Sequence, residues 1–225
     1  NSGSSSLKAS FFHANGTPRD WRYTHSGEGG PHNHAEALDA LLQDLGDEVP
    51  DAIGHRFVHG GEVTDGARLL DAPEIERLRG ITHLAPLHMP ANLLGVELCR
   101  MRFDAPQVAC FDTSFHHTLP ELARRLPIPS ELGMRRYGFH GLNYAHIAAT
   151  LPSLLGELAH GRIVVAHLGA GASLCLLEGL KSVDNSMGYT PAGGIPMGTR
   201  SGDLDPGVML ELAQHYDSEA LRDLV

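Results

Sequence analysis

Apolar residues recur three to four positions apart between His34 and Leu45, at Ala35, Leu38, Leu41, Leu42 and Leu45, and Gly46 follows the last of them. That spacing lines one face of an α-helix, and a glycine just beyond it is a stop signal. The same pattern predicts helices over 73–79, 90–102, 119–126, 144–151 and 208–214. Pro127 and Pro129 end the third of these. Short apolar runs of strand length lie between them, at 53–58, 107–111, 162–167 and 174–177. Phe11 and Phe12 predict one more strand, leaving a Gly/Ser turn that spans Asn1 to Lys8. Residues 13–33 are polar and rich in Gly, His and Pro, and 188–207 is dominated by Gly and Pro, so both are predicted to be irregular. Strands alternate with helices, which makes the fold class α/β.

Composition narrows the function without naming it. The chain has 225 residues, of which 42% are hydrophobic and 20% charged, the proportions of a globular protein. Lys and Arg number 17 against 27 Asp and Glu, a net charge of −10, which argues against a nucleic-acid partner. No apolar run reaches the ~18 residues of a membrane span. Cys99, Cys110 and Cys175 are odd in number, widely spaced and set in apolar stretches. They fit a reducing, cytoplasmic setting better than a disulfide scaffold.

The candidate chemistry is anion binding. The turn Gly3-Ser4-Ser5-Ser6-Leu7, followed by Lys8, echoes Gly171-Ala172-Ser173-Leu174. Turns of small residues expose backbone N–H groups that hold phosphate, and equally they form ordinary hairpins. Neither matches a Walker P-loop. Arg56 and Arg200 sit among glycines, where a guanidinium can grip a carboxylate or phosphate. Arg200 has a plainer alternative, pairing with Asp203 or Asp205. Asp112 ends an apolar strand, the place where α/β folds put site residues, and could bind Mg²⁺ or merely cap a helix. Of 15 histidines, the pairs His32/His34 and His116/His117 raise a metal-hydrolase reading, but no cysteine pairs or H-E-x-x-H spacing accompany them. His88, His140 and His167 each lie at the edge of an apolar run beside a turn, where a buried structural histidine would also sit.

Seven stretches occur in one order: NSGSSSLK, HRFVHGGE, APLHMPANLLGVE, FDTSFHHTLP, RRYGFHG, HLGAGAS and VDNSMGYTPAGGIPMGTRSGDLDPG. Together they resemble the acetate kinase (acetokinase) family of the acetate and sugar kinase/Hsp70/actin superfamily, from Asn1 to about Asp217. The resemblance implies an actin-like, ribonuclease H-like two-lobed ATPase fold of mixed sheets flanked by helices. Residues 1–116 would form the first lobe and 117–225 part of a second, nucleotide-side lobe.

The implied reaction moves the γ-phosphoryl of ATP to acetate, giving acetyl phosphate and ADP, with Mg²⁺ (or Mn²⁺). Ser4, Ser6 and Lys8 would line the phosphate side, with Asn1 beside the metal. Arg56 and Arg200 would hold the carboxylate and the transferring phosphoryl. Asp112 would be the catalytic acid residue near Mg²⁺, and His140 would stabilise the phosphoryl with His88 in support. His167, Gly169 and Gly171 would face the nucleotide phosphates. Val58, Leu87, Phe139 and Pro191 would form the methyl pocket, Val58 favouring acetate over propionate. A homodimer through the second lobe is also implied.

Met89, Ala170, Asn185 and Leu142-Asn143-Tyr144 depart from the family pattern and bear mostly on nucleotide affinity. Family members are nearly twice as long, so the reading is of a chain truncated at both ends. It would lack a second acidic metal ligand, bind ATP poorly and turn over slowly or not at all alone. The alternatives are a propionate or butyrate kinase and a non-catalytic anion-binding remnant.

Overall fold

The computed structural model describes residues 6–14, 16–24 and 31–224. The chain divides into two compact units, Asn1–Phe111 and Asp112–Val225.

In the first unit, strands β1 (Ser6–Phe12) and β2 (Pro18–Thr24) form an antiparallel hairpin. The second strand corrects the expectation that 13–33 is irregular. Charged Arg19, Asp20 and Arg22 hide its signal, yet Trp21 and Tyr23 alternate with them and fall on one face. That face, with Leu7 and Ala9, packs on Ala37, Leu38 and Leu41 of helix α1 (His34–Leu45). The Asn33 side chain caps α1 through the Glu36 N–H at 3.0 Å, and Gly46, with φ of 63°, ends it. Strand β1 begins at Ser6, so the segment Ser6–Lys8, expected in a turn, is extended.

The chain continues through β3 (Ile53–Phe57), β4 (Ala67–Leu69), α2 (Ala72–Gly80), α3 (Met89–Arg102) and β5 (Gln107–Phe111). Strand β5 is central, parallel to β3 and antiparallel to β4. A continuous apolar run marks β5 as a strand covered on both faces. The three-residue β4, with Arg68 at its centre, carries too little pattern to be predicted. Asn92 of α3 is buried and accepts the Val58 N–H at 3.2 Å, which pins the end of β3 to the helix.

The second unit opens at Asp112 with a 3₁₀ turn over Ser114–Thr118 and a short helix α4 (Glu121–Arg124). The longer helix expected over 119–126 does not form. Pro120 and Pro127 bracket it, and α4 buries no side chain that would stabilise more turns. Helix α5 (Gly141–Leu155) runs three residues beyond the predicted start and tolerates Pro152 in its last turn. Strands β6 (Arg162–Leu168), β7 (Ala172–Glu178) and β8 (Lys181–Asn185) form an antiparallel meander. Helices α6 (Pro206–His215) and α7 (Ser218–Leu224) follow. Strand β8 and helix α7 were not expected; both are short and polar.

One face of the meander makes the core of this unit. Val165, Cys175 and Leu177 pack with Tyr144 and Ala148 of α5, and Ile163 joins them. Along that face the register runs Ile163 opposite Leu177, Val165 opposite Cys175, then His167 opposite Ser173. The row is apolar until the glycine turn and polar at it. The buried face therefore ends in a pair of hydrogen-bonding side chains. Among the described residues, no helix is long and apolar enough to cross a membrane.

Candidate anion-binding site

The polar end of that row is where the second unit gathers its chemistry. The Asp112 carbonyl accepts the Gly141 N–H at 2.8 Å, which ties the first residue of this unit to the start of α5. A side chain on Gly141 would collide with that carbonyl. Just before the helix, His140 turns through the left-handed region with φ of 59°. The bend aims its ring at the β6–β7 turn, where it stacks on His167 with centroids 3.9 Å apart and planes 19° from parallel.

His140 Nδ1 lies 2.8 Å from Ser173 Oγ, and Ser173 Oγ lies 2.5 Å from the Tyr144 hydroxyl. Ser173 and Tyr144 are both fully buried. Burial pushes the Tyr144 phenol up to about 12, against smaller opposing effects of its hydrogen bonds with Ser173 and the His167 backbone.

The other ring nitrogen of His140 approaches Gly171. A Cβ on Gly171 would sit 3.2 Å from His140 Nε2 and 3.3 Å from Arg200 Nη1. A glycine here leaves room in front of both side chains. Arg200 is oriented by donating to the Pro191 carbonyl at 2.9 Å. Asp203 and Asp205, the acids weighed against it, accept backbone N–H groups. Asp203 Oδ1 accepts the Gly194 N–H at 2.8 Å, and Asp205 Oδ1 accepts the Gly207 N–H at 2.6 Å.

Asp112 is buried at 3% exposure, and the 3₁₀ turn that follows has Thr113 at its N-cap position. Behind it lies His116, also buried, with Nδ1 at 2.7 Å from Ser182 Oγ and Nε2 at 2.9 Å from the Phe139 carbonyl. Burial pulls His116 down to about 4, with the Phe139 carbonyl and the Asp112 charge opposing. Asn185 donates to the same Phe139 carbonyl at 3.3 Å and accepts the Met187 N–H at 3.0 Å, so this departure from the family pattern is structural in role. Phe139 is itself buried, at 1% exposure.

The second unit therefore brings His140, His167, Gly171 and Arg200 together, with Pro191 held by Arg200. Gly169 belongs to the same turn and donates to the Gly171 carbonyl at 3.1 Å.

In the first unit, Lys8 and Arg56 line one cavity of about 740 Å³, with His55, Asn92 and apolar residues of β1, α1 and α3. His55 Nε2 is 2.7 Å from Gln107 Oε1, and burial pulls its pKa down to about 4 against that hydrogen bond. Ser6 is in β1, half-buried. Val58 is buried, whereas Leu87 is 67% exposed. His88 precedes α3 without capping it through its side chain. Met89, a further departure, is fully buried in α3. Asn1 and Ser4 lie outside the described residues.

Ser173 and Tyr144 were not singled out for the reacting centre. Their signal was the register: two residues apart from Cys175 on β7, Ser173 belongs to the core-facing row, and a serine there needs a polar partner. Among the described residues there is no group of three or more His, Cys, Asp and Glu side chains that could hold a metal ion.

Comparison with known proteins gives one consistent answer. The family model described as the acetokinase family matches residues 22–222. An acetate kinase of Rhodopseudomonas palustris is 45% identical over 197 residues, covering 84% of this chain and 50% of that protein. A propionate kinase of Citrobacter rodentium is 51% identical over 173 residues, covering 73% of this chain and 42% of that protein. The crystal structure of acetate kinase from Entamoeba histolytica superposes with a TM-score of 0.82 at 29% identity, covering all of this chain and 63% of that one. A propionate kinase from Francisella tularensis gives 0.83 at 31% identity, with 99% and 65% covered. The chain spans about half the length of the curated relatives it matches.

Proposed function

Since the chain belongs to the acetokinase family, we propose that it serves ATP-dependent phosphorylation of acetate to acetyl phosphate, a reversible, direct in-line transfer to a carboxylate. The observation that carries this is the approach of His140 Nε2 and Arg200 Nη1 to the open side of Gly171.

A carboxylate with a pKa near ~4 is already ionised at neutral pH, so the acceptor needs no base. The barrier is bringing one anion to another. Cationic and N–H donors lower it by neutralising charge and fixing the line of attack. In this reading Arg200 and His140 hold the transferring phosphoryl. Arg56 pairs with the carboxylate, with His88 in support. His167, Gly169, Gly171, Ser4, Ser6 and Lys8 contact nucleotide phosphates. Val58, Leu87, Phe139 and Pro191 take the methyl group.

Kinases of this kind use a divalent ion. Mg²⁺ binds through one or two carboxylates and the substrate's own phosphate oxygens, so the buried carboxylate Asp112 suits it. Asp112 would hold the ion, with Asn1 as a second contact, and Mg²⁺ (or Mn²⁺) would supply charge neutralisation on the phosphates. A cytoplasmic location and a homodimer through the second unit complete the proposal.

The test is a hydroxylamine trap with ATP, Mg²⁺ and acetate, and acetyl phosphate with ADP in the reverse direction. Slow acetate-dependent hydroxamate formation that disappears in Arg200→Ala is the expected result. No product in either direction together with no binding of acetyl phosphate overturns the reading. Propionate and butyrate, run in parallel, decide among the short acids.

One observation favours a non-catalytic anion-binding chain instead. The outer face of β6 carries Val164 at 66% and Leu168 at 75% exposure, an uncovered apolar face next to the anion site. Binding of acetyl phosphate without any turnover would select that reading.

A further inference from the structure

The phosphoryl-binding role given to His140 requires an N–H at Nε2, and a neutral imidazole carries its proton on only one nitrogen. The surroundings of the ring decide which. Among the described residues, the polar partners of the Tyr144 hydroxyl are Ser173 Oγ and the His167 backbone. Of these, the one at hydrogen-bond distance that can accept a proton is Ser173 Oγ. The phenol stays protonated at neutral pH, since burial pushes its pKa up to about 12. Its own proton then has one acceptor, Ser173 Oγ, at 2.5 Å. Ser173 in turn has its proton left to give, and His140 Nδ1 lies 2.8 Å away.

The opposite polarity fails on a count of donors and acceptors. If His140 Nδ1 donated to Ser173 and Ser173 to Tyr144, the phenol proton would be left without an acceptor at a side chain that is fully buried. An unsatisfied buried donor is costly, and a chain in which every proton has an acceptor is favoured cooperatively.

We propose that Ser173 and Tyr144 are positioning residues that hold His140 in the Nε2–H tautomer, with the proton order Tyr144 to Ser173, Ser173 to His140 Nδ1. The consequence is a fixed N–H donor beside Gly171, next to Arg200 Nη1. The proposal rests on the kinase reading only for the identity of the anion that the donor meets; the tautomer is a property of the chain alone.

The test is long-range ¹H–¹⁵N correlation of the full chain without ligand, above pH 7. The wild-type His140 ring shows the Nε2–H pattern. Ser173→Ala removes the donor to Nδ1 and gives a mixture of both tautomers. Ser173→Thr, which keeps the hydroxyl, restores the single pattern. Tyr144→Phe keeps the ring and its packing but frees the serine proton to turn away, and gives a partial mixture. A Ser173→Ala spectrum identical to wild type, or an Nδ1–H pattern in the wild type, overturns the proposal.

Folding of each variant is checked by backbone amide dispersion, and Tyr144→Phe decides should the serine variant not fold. Inorganic phosphate is then titrated. In the wild type it shifts the Nε2 resonance, and Ser173→Ala binds it about ten- to a hundredfold more weakly. No response of wild-type Nε2 to phosphate speaks against the kinase reading, while the tautomer result still decides the relay.

Discussion

The rings of His140 and His167 lie stacked, 3.9 Å between centroids, although 27 residues separate them in the chain. The stack holds the His140 ring flat against β6 while its edges reach Ser173 and Gly171. Removing one ring should loosen the other. His167→Ala is expected to weaken inorganic phosphate binding severalfold by calorimetry, and His167→Phe to recover most of it through the aromatic face alone. Equal losses in both variants would mean that the His167 nitrogens, and not the stack, carry the effect.

Two glycines of the site are expected to fail in different ways. A Cβ on Gly141 strikes the Asp112 backbone carbonyl, which cannot turn aside. Gly141→Ala should therefore lower the stability of the second unit by about 3 kcal/mol, seen as a large drop in its melting temperature. A Cβ on Gly171 meets the ends of His140 and Arg200 at 3.2 and 3.3 Å. Those side chains can give way, so Gly171→Ala should melt within about 1 kcal/mol of wild type. It should nevertheless lose most phosphate binding, since the methyl group occupies the space the anion needs.

The contrast between those glycines also shows where sequence reading stops. The motif Gly138-Phe139-His140-Gly141 stood out, and so did Gly169 to Ser173. Helical spacing and apolar runs were enough to place α1, α2, α3, β3, β5 and β6, because each buries a continuous face. Strand β2 was missed because its charged residues outnumber the two aromatics that face the core. Strand β4 and helix α7 were missed because short polar elements are held by their neighbours and not by their own pattern. The candidate residues His140, His167 and Arg200 were legible through their motifs. That Ser173 and Tyr144 complete the environment of His140 depends on a strand register and a helix face meeting, which no local pattern records.

Acid should destabilise both units, and the buried histidines set the window. His55 and His116 have pKa values pulled from 6.5 to about 4 by burial. In the unfolded chain each takes a proton near 6.5, whereas the folded chain resists until about 4. Their neutral burial therefore costs nothing above the unfolded value. Stability falls from pH 6.5 toward pH 4 at about 1.4 kcal/mol per pH unit for each histidine. Between pH 7 and pH 5 the loss is about 2 kcal/mol for each. Urea melts at the two pH values read it. His116→Gln should be less stable at pH 7, having given up its bonds to Ser182 and Phe139, yet flatter between pH 6.5 and 4. A slope unchanged in His116→Gln and in His55→Gln would assign the acid sensitivity to other groups.

Val58 separates a core role from a specificity role. It is 2% exposed, and its N–H is anchored on Asn92, so it is a packed residue whatever else it does. Truncation to alanine should cost about 2 kcal/mol of stability in the first unit, from lost burial and the space left behind. A residue that only packs would lower kcat for acetate and propionate together, leaving their ratio alone. A residue that bounds the acyl group does something else, because the vacated volume admits the extra methylene of propionate. One methylene in an apolar pocket is worth about 1–3 kcal/mol. Val58→Ala is therefore expected to raise the propionate-to-acetate ratio of kcat/KM by about tenfold, mainly through a lower KM for propionate. The hydroxamate assay at matched fractions of folded protein measures it. A ratio that stays within twofold of wild type would remove Val58 from the pocket and leave it as core.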